Sequence, residues 1–292
     1  MAQTVAMKTL GIIIARAGSV GLRNKHLRPL LDRPVIAYTF DYAHAATRLD
    51  RIAVSSDSPE ILDLARAQGF DLVPRPAELA TGDASVQAVL LHAMRYIEQT
   101  PGGWDRHSCL SPDGRAGDIP VPPSPSDSPH DQSPRFDAVV LLYGNCPVRP
   151  PGLVDGAINL LETTGCDSVR SFAPTGKLHP NWMARLTGDR VEPYLPGSIH
   201  RRQDLEPLFF HDGAIVAVTR ASLLRQLDHP EDPHAFFGVD RRAIPTKSGE
   251  TVEIDQEMDL FLAEAILRAR MVNGGGTQTH VLRVGSPSCE PT

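Results

Sequence analysis

Residues 9–25 read TLGIIIARAGSVGLRNK, and this stretch decides the fold class. Residues 9–15 form a short continuous apolar run, which predicts a buried strand. Gly18 and Gly21 in the loop that follows permit tight turns and close approach of the backbone to a ligand. The same loop carries three cations: Arg16, Arg23 and Lys25. In a chain whose net charge is -6, this cluster favours a polyphosphate cradle over a purely structural turn.

The loop differs from two common nucleotide-binding motifs. It contains neither the GxGxxG pattern of dinucleotide-binding folds nor the GK[ST] ending of a P-loop. Both of those classes are therefore disfavoured.

Apolar runs and helical patterns alternate downstream of this loop. The predicted strands cover residues 51–56, 70–73, 138–142 and 168–172, and the predicted helices cover residues 34–46, 59–68, 83–97, 153–162 and 257–270. This alternation predicts an α/β fold with a doubly wound, mostly parallel sheet that is covered on both faces. Such sheets bind ligands beyond the carboxyl ends of their strands, so chemistry is expected directly after Ala15, Ser56, Val73 and Leu142.

One domain is predicted over residues 1–272, and three segments depart from the alternation: two inside this domain and one after it. Residues 101–135 hold 8 Pro, 4 Gly, 6 Ser and 5 Asp, and this composition predicts a disordered insertion because it buries too little apolar surface to offset its ordering entropy. Residues 273–292 are predicted to be a flexible tail. Residues 177–212 have Gly and Pro punctuation with little helical period, which predicts a β-rich excursion.

Charge and cysteine spacing exclude several functional classes. With 29 basic and 35 acidic residues, the chain is not expected to bind nucleic acid or an anionic membrane through bulk charge. The 4 cysteines form no CxxC pair, which excludes a zinc ribbon or a disulfide framework and indicates a reducing compartment. No run of 18 apolar residues occurs, and the N-terminus lacks signal-peptide features. We therefore expect a cytoplasmic protein.

Six segments resemble, in the same order, motifs of the acylneuraminate cytidylyltransferases (CMP-sialic acid synthetases). The first, ARAGSVGLRNKH at residues 15–26, is similar to the family pattern ARxGSKxLxxKN. The others are VSSDSPEI at 54–61, RPAELATGDAS at 75–85, LLYGNCPVR at 141–149, RRQDLEPLFFHDGAI at 201–215 and VEIDQEMDL at 252–260. Together these segments extend over about three-quarters of the chain, which is far more specific than any single motif.

The resemblance implies a Rossmann-like nucleotidyltransferase with CTP, Mg²⁺ and a nine-carbon sugar acid as ligands. It also implies a homodimer in which the excursion takes part in dimerisation and substrate binding. By position, Lys25 and Arg16 would be catalytic, and CTP would bind at Ala15, Ser19, Arg75, Ala84 and Ser85. The sugar acid would contact Tyr143, Asn145, Arg202, Gln203, Phe236 and Phe237, of which the last two resemble an aromatic pair offered by the partner subunit. Asp255 and Glu253 would ligate the metal.

Five residues differ from the family pattern. These are Val20 for lysine, His26 for asparagine, Tyr143 for glutamine, Asp212 for asparagine and Glu253 for aspartate. The resemblance implies that losing contacts to the triphosphate would change the reaction rate. It also implies that tyrosine at position 143 would change which sugar acid is used.

Without the resemblance, two pairs of candidate site residues have simpler interpretations. Phe236 and Phe237 are typical of aromatic core residues. Glu253 and Asp255 alternate on a predicted strand and therefore share one face, as solvated carboxylates also do.

The expected reaction is transfer of CMP from CTP to the anomeric hydroxyl of a sialic-type (nonulosonic) acid, with release of pyrophosphate. Two alternatives stay open. One is a nucleotidyltransferase for another keto-deoxy sugar acid, and the other is a degenerate nucleotide-binding homologue without turnover.

Overall fold

The computed structural model of the protein describes residues 6–18, 21–100, 135–197, 199–229 and 231–273. Its strands are β1 (Thr9–Ile14), β2 (Pro29–Leu30), β3 (Arg33–Pro34), β4 (Arg51–Ser56), β5 (Asp71–Pro74), β6 (Ala138–Tyr143), β7 (Ser168–Pro174), β8 (Ala184–Thr187), β9 (Arg190–Pro193), β10 (Phe209–Thr219) and β11 (Arg241–Pro245). Its helices are α1 (Val35–His44), α2 (Pro59–Ala67), α3 (Val86–Gln99), α4 (Leu153–Thr164), α5 (Arg220–Leu224) and α6 (Glu257–Asn273).

Seven strands form one sheet in the order β11-β7-β10-β6-β1-β4-β5. Strand β10 runs antiparallel to both of its neighbours, whereas every other adjacent pair is parallel. The predicted α/β class with a mostly parallel sheet is therefore confirmed. The carboxyl ends of the six parallel strands meet at one edge of the sheet, together with the beginning of β10.

Helices cover both faces of the sheet. Because successive side chains of a strand point to opposite faces, each buried strand contributes apolar side chains to both helical layers. On one face, Ile13 of β1 packs with α1, α2 and α4 in a large apolar cluster. On the other face, Leu10 and Ile12 pack with α3 and with Leu223 of α5. A smaller cluster under α6 joins Val148 to the segment before that helix.

Two helix starts follow from capping side chains. Ser58 accepts a hydrogen bond from the Ile61 amide (3.4 Å), and α2 begins at Pro59 as predicted. Helix α3 begins at Val86 rather than at residue 83, because the Ser85 hydroxyl accepts from the Ala88 amide (3.1 Å) and caps the helix there.

The predicted excursion is shorter than the sequence suggested. Strand β10 begins at Phe209, pairs with β6 and β7, and so belongs to the main sheet. Between β7 and β10 lie short 3-10 turns and the exposed hairpin of β8 and β9.

Two other predictions fall mostly on residues that the structure does not describe. The predicted insertion lies outside the described residues except for Arg135. Helix α6 extends to Asn273, which was predicted to begin the tail, and residues 274–292 are outside the description. Within the described ranges, no helix has the length and apolar character needed to cross a membrane.

Candidate active site

A cavity of about 240 Å³ lies at the carboxyl ends of β1, β5 and β6. This is the edge where the sequence predicted ligand binding. The lining residues are Ile14, Ala15, Arg16, Lys25, His26, Arg75, Leu79, Thr81, Gly82, Ala84, Val86, Val89, Tyr143, Asn145 and Glu253. We call this space the first cavity.

Arg16 stands at the start of the loop after β1 and crosses to the segment before α3. Its guanidinium donates to the carbonyl oxygen of Thr81 (2.8 Å). The next residue, Ala17, donates its amide to the Asp57 carboxylate after β4 (2.8 Å). These contacts hold the beginning of the loop against two neighbouring segments at the same sheet edge.

The loop also makes a close approach to the segment before α6. A Cβ atom on Gly21 would lie 2.6 Å from the backbone oxygen of Asp255, so only glycine fits at this position. Ser19, which was predicted to bind CTP, lies outside the described residues, as does Val20.

Lys25, which lines the first cavity, forms an ion pair with Asp255. The Lys25 ammonium donates to Asp255 Oδ1 at 2.7 Å, and the side chains are 17% and 66% exposed. The contact joins residues that are 230 positions apart in sequence. A predicted catalytic cation and a predicted metal ligand are therefore neighbours.

His26 lines the first cavity in the position where the family pattern has asparagine. Its side chain is buried, and its Nδ1 atom has no hydrogen-bond partner among the described residues. Burial, followed by the charge of Lys25, lowers the pKa of His26 to about 3. The imidazole is thus a neutral polar group beside a cluster of cations.

Arg75 is a buried cation on the β5 side of the first cavity. It donates from Nη2 to the Ser55 carbonyl (2.7 Å) and from Nε to the Ser55 hydroxyl (3.2 Å). Burial lowers the pKa of Arg75 to about 10, so the group stays charged at neutral pH. Ala84 lines the cavity nearby, whereas the exposed Ser85 is the cap of α3 and is not among the lining residues.

Asn145 gathers the two predicted metal ligands. Its amide nitrogen donates to Glu253 Oε1 (3.1 Å) and to the Ile254 carbonyl (2.9 Å), and lies 3.5 Å from Asp255 Oδ1. Asn145, which was predicted to contact the sugar acid, lines the first cavity and ties the turn after β6 to both carboxylates. The carboxylates do share one side of their segment, as predicted.

The segment that carries these carboxylates is not a strand, contrary to the prediction. Only Val252 pairs, in an isolated bridge with Val148, and Ile254 donates its amide to the Asn145 carbonyl (2.7 Å). The backbone leaves the extended pairing there because the chain turns into α6 at Glu257.

The site is compatible with a magnesium ion. Burial raises the pKa of Glu253, which marks a carboxylate held in a poorly solvated place where a cation would stabilise its charged form. Mg²⁺ in phosphate chemistry is usually held by one or two carboxylates together with substrate oxygens. The described residues contain no cluster of three or more His, Cys, Asp or Glu that could hold a metal, so a site here would depend on substrate oxygens for its remaining ligands.

Tyr143 ends β6 and forms part of the cavity wall. Burial raises the pKa of its phenol to about 12, so the hydroxyl remains protonated. Cys146, three residues further on, is fully buried, and burial raises the pKa of its thiol to about 11, which makes it unsuited to be a nucleophile.

Arg149 is a functional candidate that the sequence analysis missed. The guanidinium is buried and donates to the carbonyls of Tyr143 and Ala214, each at 2.8 Å, and to the Cys146 carbonyl. It therefore fixes the turn that carries Tyr143 and Asn145. The sequence feature that could have identified Arg149 is a single arginine at the end of a mostly apolar motif, LLYGNCPVR.

Four residues predicted to bind the sugar acid do not line the first cavity. Arg202 and Gln203 lie in an exposed 3-10 turn of the excursion. Phe236 and Phe237 are buried in the core of their own chain, 5% and 7% exposed, so the prediction that they reach a partner subunit is wrong. The Arg170 guanidinium lies 4.2 Å from the centroid of the Phe237 ring and covers it. Packing against β10 and α5 accounts for the pair, as the simpler interpretation predicted.

Comparisons with known proteins show which sequences and structures the chain is similar to. Residues 10–101 match the family model described as Cytidylyltransferase. The chain is 40% identical over 87 residues to an N-acylneuraminate cytidylyltransferase of Escherichia coli O18:K1:H7, a match covering 30% of this chain and 21% of the relative. It is 26% identical over 266 residues to a CMP-N,N'-diacetyllegionaminic acid synthase of Legionella pneumophila, covering 89% of this chain and 97% of the relative.

A solved structure supports the fold. The chain superposes with a TM-score of 0.61 and 16% identity on a CMP:2-keto-3-deoxy-manno-octonic acid synthetase complexed with CTP, covering 90% of this chain and 99% of that one. The solved structure supports the fold, and the family model together with the named relatives confirms the resemblance to the acylneuraminate cytidylyltransferases. The chain spans about a fifth of the length of the first of these relatives and nearly all of the second.

Proposed function

We propose that the protein transfers CMP from CTP to the anomeric hydroxyl of a nonulosonic acid. One observation carries the proposal: Arg16, Lys25 and Arg75 line a single cavity at the sheet edge, and Glu253 lines the same cavity. Three cations and one carboxylate around one cavity suit a triphosphate whose charge is shared between protein and metal. The names of the matched relatives supply the substrate class.

In this proposal the cations contact different parts of the nucleotide. Lys25 and Arg16, next to the glycine loop, stabilise the charge on the phosphates. Arg75 and Ala84 lie towards the cytosine. Lys25 exchanges its contact with Asp255 for a phosphate oxygen when CTP binds.

Glu253 and Asp255 would hold Mg²⁺, oriented by Asn145. When bound, the ion would neutralise charge that develops on the phosphates. The acceptor hydroxyl oxygen forms a bond to the α-phosphorus, the bond from that phosphorus to the bridging oxygen breaks, and pyrophosphate leaves. The hydroxyl proton is released to solvent. No covalent nucleophile is required, in keeping with the unreactive Cys146 thiol.

A homodimer is part of the proposal, and the exposed apolar surface of the excursion supports it. Leu178, Leu186 and Val191 are 68%, 72% and 67% exposed. Leu186 and Val191 are paired across the hairpin of β8 and β9, and Leu178 lies in the 3-10 turn that precedes it. Exposed apolar side chains concentrated in one segment are typical of an interface. Size-exclusion chromatography with light scattering should give the mass of a dimer, and Leu186→Lys with Val191→Lys should shift it to that of a monomer.

A cytoplasmic location is also proposed. Cys146 and Cys166 are buried and form no disulfide in the described part of the chain, which suits a reducing compartment.

Another keto-deoxy acid is the second candidate acceptor. Tyr143 stands where the family pattern has glutamine, and a 3-deoxy-manno-octulosonate cytidylyltransferase of Acidobacterium capsulatum is 31% identical over 84 residues, covering 29% of this chain and 34% of that relative. A matrix of four nucleoside triphosphates against three acids separates the two candidates. The acids are N-acetylneuraminate, N,N'-diacetyllegionaminate and 3-deoxy-manno-octulosonate.

We expect pyrophosphate release with CTP and a nonulosonic acid, and its loss in Lys25→Ala. Lys8→Ala is the matched control, because Lys8 precedes β1 at the opposite edge of the sheet. Release with the octulosonate alone would favour the second candidate. No release with any acid would contradict the proposed function and favour a non-catalytic homologue.

A further inference from the structure

Helix α6 carries apolar side chains on two opposite sides. On one side Ala263 is buried, and Leu260, Ile266 and Leu267 pack with it in the cluster under the helix. The other side presents six apolar residues within an arc of about 100° around the helix axis: Met258, Phe261, Leu262, Ala265, Ala269 and Val272. We call these six residues the α6 stripe.

The α6 stripe is exposed along its whole length. Its four large side chains are 51–83% exposed, namely Leu262, Phe261, Met258 and Val272 in increasing order. Both of its alanines are exposed as well. With a rise of 1.5 Å per residue, the stripe is about 21 Å long. The outer face of a surface helix is ordinarily polar, so a second apolar face indicates an interaction surface.

The order of large and small side chains makes the α6 stripe complementary to itself. Ala265 is its midpoint, because Met258 and Val272 lie at equal distances on either side. If a second α6 packs antiparallel about a two-fold axis at Ala265, Phe261 faces Ala269 of the second copy. In the same register Met258 faces Val272 of the second copy. Each large side chain then meets a smaller one, and the helices approach most closely where both residues are alanine.

The charges beside the α6 stripe also suit a second copy. Arg268 forms an ion pair with Glu264 (2.6 Å) on one flank of the stripe. In the antiparallel register, Arg268 also lies about two residues, or about 3 Å along the axis, from Glu264 of the second copy. Each guanidinium can therefore bridge two carboxylates. Two arginines and two glutamates form a neutral cluster across the contact.

The α6 stripe is too small to form a stable interface by itself. Six side chains on one helix offer less than the roughly 800 Å² that each partner buries in an interface of standard size. The pairing therefore needs a further contact, and the exposed apolar hairpin of β8 and β9 offers one.

We propose that the α6 stripe binds the α6 stripe of a second copy of this chain, antiparallel and with the two-fold axis at Ala265. A second copy is favoured over an unrelated protein because both the size pattern and the flanking charges match themselves. The assignment does not rest on the proposed reaction, so its test needs no substrate.

Disulfide trapping tests the register directly. Ala265→Cys is introduced together with Cys109→Ser and Cys289→Ser, so that the other thiols are the buried Cys146 and Cys166. A disulfide requires Cβ atoms about 3.5–4.5 Å apart, and a residue on the two-fold axis meets its own copy at such a distance. We expect mild oxidation to convert most of this variant to a cross-linked dimer, measured by electrophoresis without reductant.

Met271→Cys in the same background is the matched control. Met271 is 61% exposed on the same helix but lies off the α6 stripe. In the proposed register, the two copies of this residue are about 18 Å apart along the axis. We therefore expect no cross-linked dimer.

Phe261→Lys measures the strength of the contact. Replacing a large apolar side chain at an interface by a charged one should lower the association constant at least tenfold, as determined by sedimentation equilibrium. Met271→Lys should leave that constant unchanged. The melting temperature of the dissociated chain should be similar in both variants, because both side chains are exposed in the single chain.

Several results would overturn the pairing. Equal cross-linking of the two cysteine variants would indicate random encounter. If Ala265→Cys forms no cross-link and reacts slowly with a maleimide, another segment of the same chain covers the stripe. If it forms no cross-link and reacts fast while the wild type has the mass of a dimer, the interface lies elsewhere and the proposed dimer stands. A wild type with the mass of a monomer would overturn both, and CMP transfer by that monomer would leave the proposed reaction standing.

Discussion

A second cavity, of about 270 Å³, is lined by residues from the end of β7, the start of β10 and the segment after β11, and it shares Glu253 with the first cavity. The two cavities are built in different ways. The first takes several of its polar side chains from the carboxyl ends of strands and the residues just after them, such as Arg16 after β1, Arg75 after β5 and Tyr143 at the end of β6. The second is assembled from the ends of two strands, the antiparallel start of β10 and a loop that follows β11. A local motif positions the first cavity, whereas long-range pairing positions the second.

This difference has a consequence for how substitutions act. A side chain on a short loop after a buried strand can be removed without disturbing the sheet, so its loss should affect chemistry alone. Asp212 accepts hydrogen bonds from β7 and from the segments on either side of Lys247, so its loss should lower stability. The predictions that follow use this contrast.

The largest effect is expected on the side of the first cavity. Lys25→Ala removes a cation from the phosphate end, and losing one such electrostatic contact typically costs about 3–4 kcal/mol, or a hundredfold or more in kcat. The melting temperature should stay close to that of the wild type. A kcat that does not change, measured by pyrophosphate release, would remove Lys25 from the mechanism.

The next effect lies at the boundary between the cavities. Asp255→Asn should lower kcat on the order of a hundredfold across a Mg²⁺ titration, because the metal would lose a charged ligand. Glu253→Asp should be tolerated, since the shorter residue is the one in the family pattern. Full activity of Asp255→Asn at every Mg²⁺ concentration would mean that the two carboxylates form only a solvated surface.

A smaller effect is expected in the pH dependence of stability. His26 has a folded-state pKa of about 3 against an ordinary value of 6.5, so the unfolded chain takes up a proton that the folded chain refuses. Its stabilising contribution is complete above pH 6.5 and is lost as the pH falls towards 3. Between pH 6.5 and 5, this should cost about 2 kcal/mol of unfolding free energy.

His26→Asn provides the control for that measurement. Urea unfolding at pH 6.5 and 5 should show a smaller loss of stability in the variant than in the wild type. Equal losses in both proteins would mean that the imidazole titrates normally and is not buried in solution.

The smallest effect concerns the wall of the first cavity. Tyr143→Gln replaces a phenol by the amide of the family pattern, which changes about one hydrogen bond and hence acceptor selectivity by roughly fivefold. The KM for CTP should not change. Competition between two N-acyl acids measures the first quantity, and a shift in the CTP KM instead would place Tyr143 on the nucleotide side.

The contrast between the cavities also explains what could be predicted from the sequence. The apolar run before Arg16 and the start of α2 at Pro59 are local, and both appear where the sequence indicated. The start of β10 was missed because its pairing with β6 and β7 depends on residues far away in the chain. The strand predicted at Glu253 was wrong for the same reason, since Ile254 is held by Asn145, 109 positions away.

The roles of single residues also divide into those that a local motif identifies and those that depend on distant contacts. Seven lining residues of the first cavity besides Glu253 could be placed by motif, namely Ala15, Arg16, Lys25, Arg75, Ala84, Tyr143 and Asn145. Arg149 and Asp212 act through buried hydrogen bonds to distant partners, which a linear motif does not reveal. The pair Phe236 and Phe237 illustrates the opposite error, because similarity of motif suggested a binding role and packing gave a core role.

Positional labelling of CTP tests the central claim most directly. The enzyme is incubated with the acid that it prefers and either [α-³²P]CTP or [γ-³²P]CTP, and the products are separated by anion-exchange chromatography. If CMP is transferred, the α label appears in an acid-dependent CMP-sugar product, and the γ label appears only in pyrophosphate. If the γ label enters the sugar, or if CMP forms at the same rate without the acid, the protein is not a cytidylyltransferase acting on a sugar acid.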